Sequence, residues 1–123
     1  MRYLTDRKRA VGMGSAKTGT DHFWRVKVQS FALLILIPLF VFTFGPMLGE
    51  SHAEVVAYFA RPFPAIVAAL TIVVTMMHFK DGVQVLIEDY VHGTAQKVAI
   101  LAMICVSYAA AATGLFAIAR IAL

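Results

Sequence analysis

The sequence predicts an all-α membrane protein with three transmembrane helices, the N-terminus cytoplasmic and the C-terminus periplasmic. Three observations carry that fold class. Of 123 residues, 60% are hydrophobic and only 15% are charged, whereas an average soluble domain is roughly 45–50% apolar and about 25% charged. A fold this small leaves much of its surface outside any core, so the surplus apolar surface requires a second apolar solvent, and the bilayer supplies it. The apolar residues also gather in three stretches near the length of a spanning helix, about 20 residues. Finally, the charge is lopsided. Residues 1–27 hold seven basic side chains (Arg2, Arg7, Lys8, Arg9, Lys17, Arg25 and Lys27) against Asp6 and Asp21. The remainder holds four basic and five acidic ones. A soluble enzyme domain, a disordered chain and a disulfide scaffold are disfavoured by composition. A basic tail running straight into an apolar span reads as juxtamembrane, with no nucleic-acid partner.

Taken in order, residues 1–27 form a basic cytoplasmic segment and 28–123 a three-helix anchor with spans at about 28–48, 64–88 and 98–119. The first span has no formal charge and exceeds the roughly 7–15 residues of a signal-peptide core, so it is read as a retained helix. Pro38 and Gly45-Pro46 predict a kink or an early stop. The connection 49–61 carries Glu50, His52 and Glu54 and leans acidic. The second span holds Lys80 and Asp81. Isolated charges at mid-membrane cost at least about 2.5–3.5 kcal/mol each, so both must snorkel or face protein. Neighbours on a helix point about 100° apart, which leaves open whether these two pair with each other or with partner subunits. The short connection 89–97 makes the second and third helices antiparallel neighbours. The third span is uncharged and contains Cys105, read as a packed apolar residue without a disulfide partner in the chain. The positive-inside rule places 49–61 outside, 89–97 inside and Leu123 outside. No internal repeat, low-complexity tract or second domain is evident.

Chemistry concentrates in the second span. With about 100° of rotation per residue, His78, Gly82, Val85 and Asp89 fall within an arc of about 60°, on one helical face. A neutral imidazole within a membrane helix is a good axial ligand for haem iron, and a glycine one turn on admits the edge of a flat macrocycle. The same pattern also describes a histidine hydrogen-bonded to a neighbouring helix beside a helix-packing glycine. Tyr90 at the interface is a ready donor to a quinone carbonyl, with Asp89 beside it to relay protons. Equally, Tyr90 suits an interfacial aromatic belt and Asp89 a solvated surface. His22, Phe23 and Trp24 read as an interfacial anchor, and Lys27 as a headgroup contact or the partner of an anionic cofactor group. His52 and His92 lack metal-ligand spacing. No P-loop, dinucleotide fingerprint, zinc signature or nucleophile motif is present.

Two motifs resemble the D-type hydrophobic membrane anchors of bacterial succinate dehydrogenase (succinate:quinone oxidoreductase, complex II). One is His78 with Gly82 four residues on and Asp89-Tyr90 at plus eleven and twelve, similar to the family's H-x3-G-x6-D-Y. The other is Gly14-Ser-Ala-Lys-Thr-Gly19-Thr-Asp-His22-Phe-Trp24, similar to a G-S-A-K-x-G-x-x-H-x-W pattern of the alphaproteobacterial branch. With length and topology, the resemblance covers nearly the whole chain. It implies an inner-membrane, non-catalytic subunit of the tricarboxylic acid cycle and aerobic respiratory chain. This subunit would dock a flavoprotein subunit bearing FAD and an iron–sulfur subunit. His78 then looks like one axial ligand of haem b, with the other supplied by a C-type cytochrome b anchor. Tyr90 and Asp89 look like ubiquinone-binding residues, and Gly82, Lys27 and His22 like haem contacts. Lys27 stands where the family often has arginine, and a lysine keeps the charge but lacks the bidentate fork. Two other readings stay open: the anchor of a fumarate reductase, and a purely structural accessory subunit without haem.

Overall fold

The structure, a computed structural model, describes residues 3–14 and 18–123. Arg2 and the motif residues Ser15, Ala16 and Lys17 lie outside the described residues. Every described element is helical: α1 (Asp6–Val11), α2 (Asp21–Phe44) ending in a 3-10 turn (Gly45–Met47), α3 (His52–Phe59), α4 (Pro62–Tyr90) and α5 (Gly93–Ala122). Helices α2 with its 3-10 turn, α4 and α5 are each long and apolar enough to cross a membrane.

The helix ends follow local chemistry. The short α1 lies in the basic segment, capped by Thr5, whose hydroxyl accepts the Lys8 N–H at 3.3 Å. Helix α2 starts at Asp21, ahead of the uncharged stretch, and so takes in His22, Phe23 and Trp24. It runs through Pro38 and stops at Gly45-Pro46, where a second proline meets a residue of low helix propensity. Pro62 opens α4 at a position where its missing N–H removes no helical bond. Between α4 and α5 only Val91 and His92 are non-helical, and Gly93 starts α5 at φ +71, a conformation that L side chains rarely adopt.

Helix α3 occupies a stretch read from sequence only as an acidic connection. Its signal is a capping box: the Ser51 hydroxyl accepts the Glu54 N–H, while the Glu54 carboxylate accepts the Ser51 N–H at 3.0 Å and hydroxyl at 2.6 Å. Phe59 at its end is buried and meets Phe44, ring centroids 6.3 Å apart, which ties α3 to the end of α2.

Helix α4 is central, with both α2 and α5 packed along it. On α2 the inward stripe is His22, Val26, Gln29, Leu33, Leu36, Phe40 and Thr43, none of them exposed. Their alternating spacing of four and three is the seam of a left-handed helix pair. On α5, Ser107, Ala111 and Gly114 keep the contact surface small, and a Cβ at Gly114 would stand 3.1 Å from Ile72 Cγ2. Small residues of this kind let membrane helices approach closely. The buried apolar core is slight: Phe59, Ala65, Val67, Ala68 and Met103. Large side chains such as Leu34, Ile35 and Phe42 are 69–79% exposed, as a chain dissolved in lipid or covered by other subunits requires.

Two measurements check this packing. A Gly114→Leu change should push α5 from α4 and destabilise the pair by about 1–3 kcal/mol, read as a lower unfolding temperature in detergent. For Glu54, the Ser51 hydroxyl and then its N–H hold the carboxyl below its ordinary 4.5. A lowered folded pKa gives stability that is present above the unfolded value and lost as pH falls through the folded one. Protection of the α3 amides, corrected for intrinsic exchange, should therefore hold at neutral pH and fade below about 4.5. Glu54→Gln should flatten that dependence.

Candidate functional site

The polar centre of the molecule lies at the α2–α4 seam. Gln29 Nε2 donates to Asp81 Oδ2 at 2.9 Å, and Lys80 Nζ donates to Asp81 Oδ1 at 2.5 Å. Asp81 is only 2% exposed and Gln29 8%. Within this chain Lys80 and Asp81 pair with each other, because the long lysine stem folds its ammonium back to the adjacent carboxylate. Both charges are paired inside the span, and losing either partner would leave an uncompensated buried charge. Sequence reasoning misses Gln29. The available signals are a lone amide on the four-three stripe of α2 and a carboxylate in α4 that needs a donor.

His78 lies one turn from Asp81 on α4 and is partly buried. Its Nδ1 is buried and has no hydrogen-bond partner among the described residues. A bond from that nitrogen to a neighbouring helix of this chain is therefore absent among those residues. Gly82 is exposed, and a Cβ built on it would meet nothing within 4 Å. It is not a packing glycine between helices of this chain; Gly114 fills that role. Val85 and Asp89 are also exposed. The face carrying His78, Gly82, Val85 and Asp89 is thus left largely open by α2 and α5, while the neighbouring Asp81 is closed off by Gln29.

Tyr90 ends α4 and is 80% exposed. Twelve residues separate it from His78, roughly 18 Å along the helix axis. Just before it, Glu88 accepts Gln84 Nε2 at 2.8 Å, and its carbonyl accepts Gln96 Nε2 from α5 at 3.4 Å. These contacts fix the helix end and leave Asp89 and Tyr90 facing outward.

The remaining candidates separate. His22 lies on the α2 stripe facing α4, and its Nε2 is buried without a partner among the described residues. Lys27 is about 160° round the helix from Gln29, exposed, with its ammonium 5.6 Å from the Phe23 ring centroid. The structure does not bring it to the seam. Cys105, expected as a packed residue, is instead exposed on α5, because the inward stripe passes through Met103 and Ser107. No cluster of three or more histidine, cysteine or carboxylate side chains able to hold a metal ion occurs among the described residues. A single histidine with an open flank suits a flat group whose metal takes its other ligands elsewhere.

Comparison with known proteins points one way. Residues 1–116 match the profile of the family described as succinate dehydrogenase/fumarate reductase transmembrane subunit. The chain is 42% identical, over its full length and 95% of the relative's, to the succinate dehydrogenase hydrophobic membrane anchor subunit of Paracoccus denitrificans. It is 30% identical over 94 residues to the succinate dehydrogenase membrane anchor subunit of Reclinomonas americana, covering 72% of this chain and 76% of that one. A Rickettsia conorii relative, a succinate dehydrogenase hydrophobic membrane anchor subunit, is 29% identical over 84 residues, 68% of this chain and 67% of that one. No solved structure matches the chain.

Proposed function

The chain belongs to the succinate dehydrogenase/fumarate reductase transmembrane subunit family, and from that premise we propose that it holds one side of a haem b and part of a ubiquinone site. As a membrane anchor of succinate dehydrogenase it is a non-catalytic, multi-pass subunit of the bacterial inner membrane. In our reading its partners are a flavoprotein subunit carrying FAD, an iron–sulfur subunit and a C-type cytochrome b anchor.

The observation that carries the haem assignment is the open face at His78 and Gly82, beside a buried ring nitrogen without a partner among the described residues. These residues fit a porphyrin. His78 would hold the iron through Nε2, and Gly82 would leave room for the ring edge one turn away. The C-type partner would supply the other histidine. When bound, the haem supplies a one-electron store within the membrane. His22, on the seam with an unpartnered Nε2, is suited to donate to a polar group at the haem rim. Lys27, turned away from the seam, suits lipid headgroups.

At the end of α4, the exposed Tyr90 hydroxyl would donate to a ubiquinone carbonyl, and the Asp89 carboxylate would pass protons toward it from water. The orientation we infer puts this end at the cytoplasmic face, because the basic N-terminal segment and the α4–α5 turn then share one side. A soluble succinate-oxidising arm would deliver electrons on that side. The family description also covers fumarate reductase anchors, which run the same chemistry in reverse.

Two substitutions test these roles. His78→Ala should remove or alter the b-type haem spectrum of the purified complex, and an unchanged spectrum would refute the ligand assignment. Absence of haem from the wild-type complex would favour the structural accessory reading. Tyr90→Phe should lower succinate:quinone reductase activity about tenfold, the worth of one hydrogen bond of about 1.4 kcal/mol. Succinate oxidation by an artificial dye should be spared; equal loss of both activities would point to assembly instead.

A further inference from the structure

An iron held at His78 Nε2 obliges Nδ1 to carry the ring proton, and ligating histidines almost always donate that proton to an acceptor. Here Nδ1 is buried with no partner among the described residues. A second buried atom has the opposite need: Gln29 Oε1, an acceptor, is also unpartnered among them, while the other end of the same amide is fixed on Asp81. His78 and Asp81 are three apart on α4, which places their Cβ atoms about 5–6 Å from each other. Helical side chains lean toward the N-terminus, so the Asp81 carboxylate lies over the turn that carries His78. The amide hydrogen-bonded to that carboxylate at 2.9 Å is thereby held at the same part of α4. No charged group is needed to complete the pair, because Asp81 is already compensated by Lys80.

We propose that Gln29 is a positioning residue for His78: once iron is held at Nε2, Gln29 Oε1 becomes the acceptor of the Nδ1–H, a bond not made among the described residues here, and the Asp81–Lys80 pair holds the amide in the orientation that makes this possible. This rests on the haem-ligand reading above. It gives α2 a part in the haem site that neither the H-x3-G-x6-D-Y pattern nor the open face of α4 contains. A held Nδ1–H fixes the imidazole plane and raises its basicity, which favours ferric over ferrous iron.

The test uses the whole complex, purified through a tag on this chain, with Gln29→Met and Gln29→Glu variants. The readouts are haem content, the haem midpoint potential and the low-spin ferric EPR spectrum, which reports ligand-plane orientation. Methionine keeps the length but offers no comparable acceptor. It should weaken the preference for ferric haem about tenfold, which raises a one-electron potential by about 59 mV, and should shift the EPR g values. Glutamate keeps an acceptor oxygen and, sharing a proton with Asp81, should hold the potential at or below that of the wild type. A Gln29→Met complex with full haem and unchanged potential and EPR spectrum would overturn the proposal. If Gln29→Met loses its haem, recovery of haem and a wild-type EPR spectrum in Gln29→Glu supports it, and haem loss in both variants overturns it. A wild-type complex without haem would overturn the ligand reading itself, and this inference with it.

Discussion

A carboxylate inside an apolar span is the constraint on which the rest of the structure depends. Asp81 cannot remain ionised against lipid, and a single span offers few donors, so the helix must find them nearby. It takes one from the adjacent residue and one from another helix. The first bond neutralises the charge and the second fixes which face of α2 meets which face of α4. An apolar seam alone would tolerate rotation and sliding, since lipid tails compete with leucine on nearly equal terms. A buried hydrogen-bonded pair tolerates little of either. The register of the α2–α4 pair, and with it the direction in which His78 looks, is therefore set by polar groups.

With that register fixed, the molecule divides its surfaces cleanly. The seam faces of α2 and α5 are spent on α4, and α3 closes the far end through Phe59. The flank of α4 with His78 and Gly82 is left over. So are the aromatic and aliphatic side chains of outer α2. An apolar cleft of about 570 Å³, lined by Phe40, Phe44, Ile72 and Gly114 among others, opens between the helices. This is the surface of a subunit and not of a finished protein. It has a rigid interior line of contacts and wide faces that acquire meaning when lipid or other chains cover them.

Much of this is legible in the sequence, and the limits have physical causes. Three long apolar stretches and an uneven charge distribution are bulk properties, and they carry the fold class without any detail. The His78–Gly82–Asp89 face follows from helical geometry alone. What escapes depends on pairs distant in sequence. Gln29 and Asp81 are 52 residues apart, and no local rule connects an amide in one span with a carboxylate in another. Helix α3 is a different kind of miss, since Ser51 and Glu54 spell a capping box within four residues. There the acidic character of the stretch masks the signal. Cys105 is misplaced because one face of α5 is as apolar as the other, so composition does not say which side is packed.

The two-residue link between α4 and α5 bears on how the chain enters the bilayer. Val91 and His92 give almost no slack, and Gln96 fastens the two helices across the link. In the orientation inferred above the link lies at the cytoplasmic face, so α5 is the last span to be made and packs against an α4 already synthesised. By then α2 has already been made, with Gln29 on the face that will receive Asp81. The order of the helices along the chain is thus also a workable order of assembly.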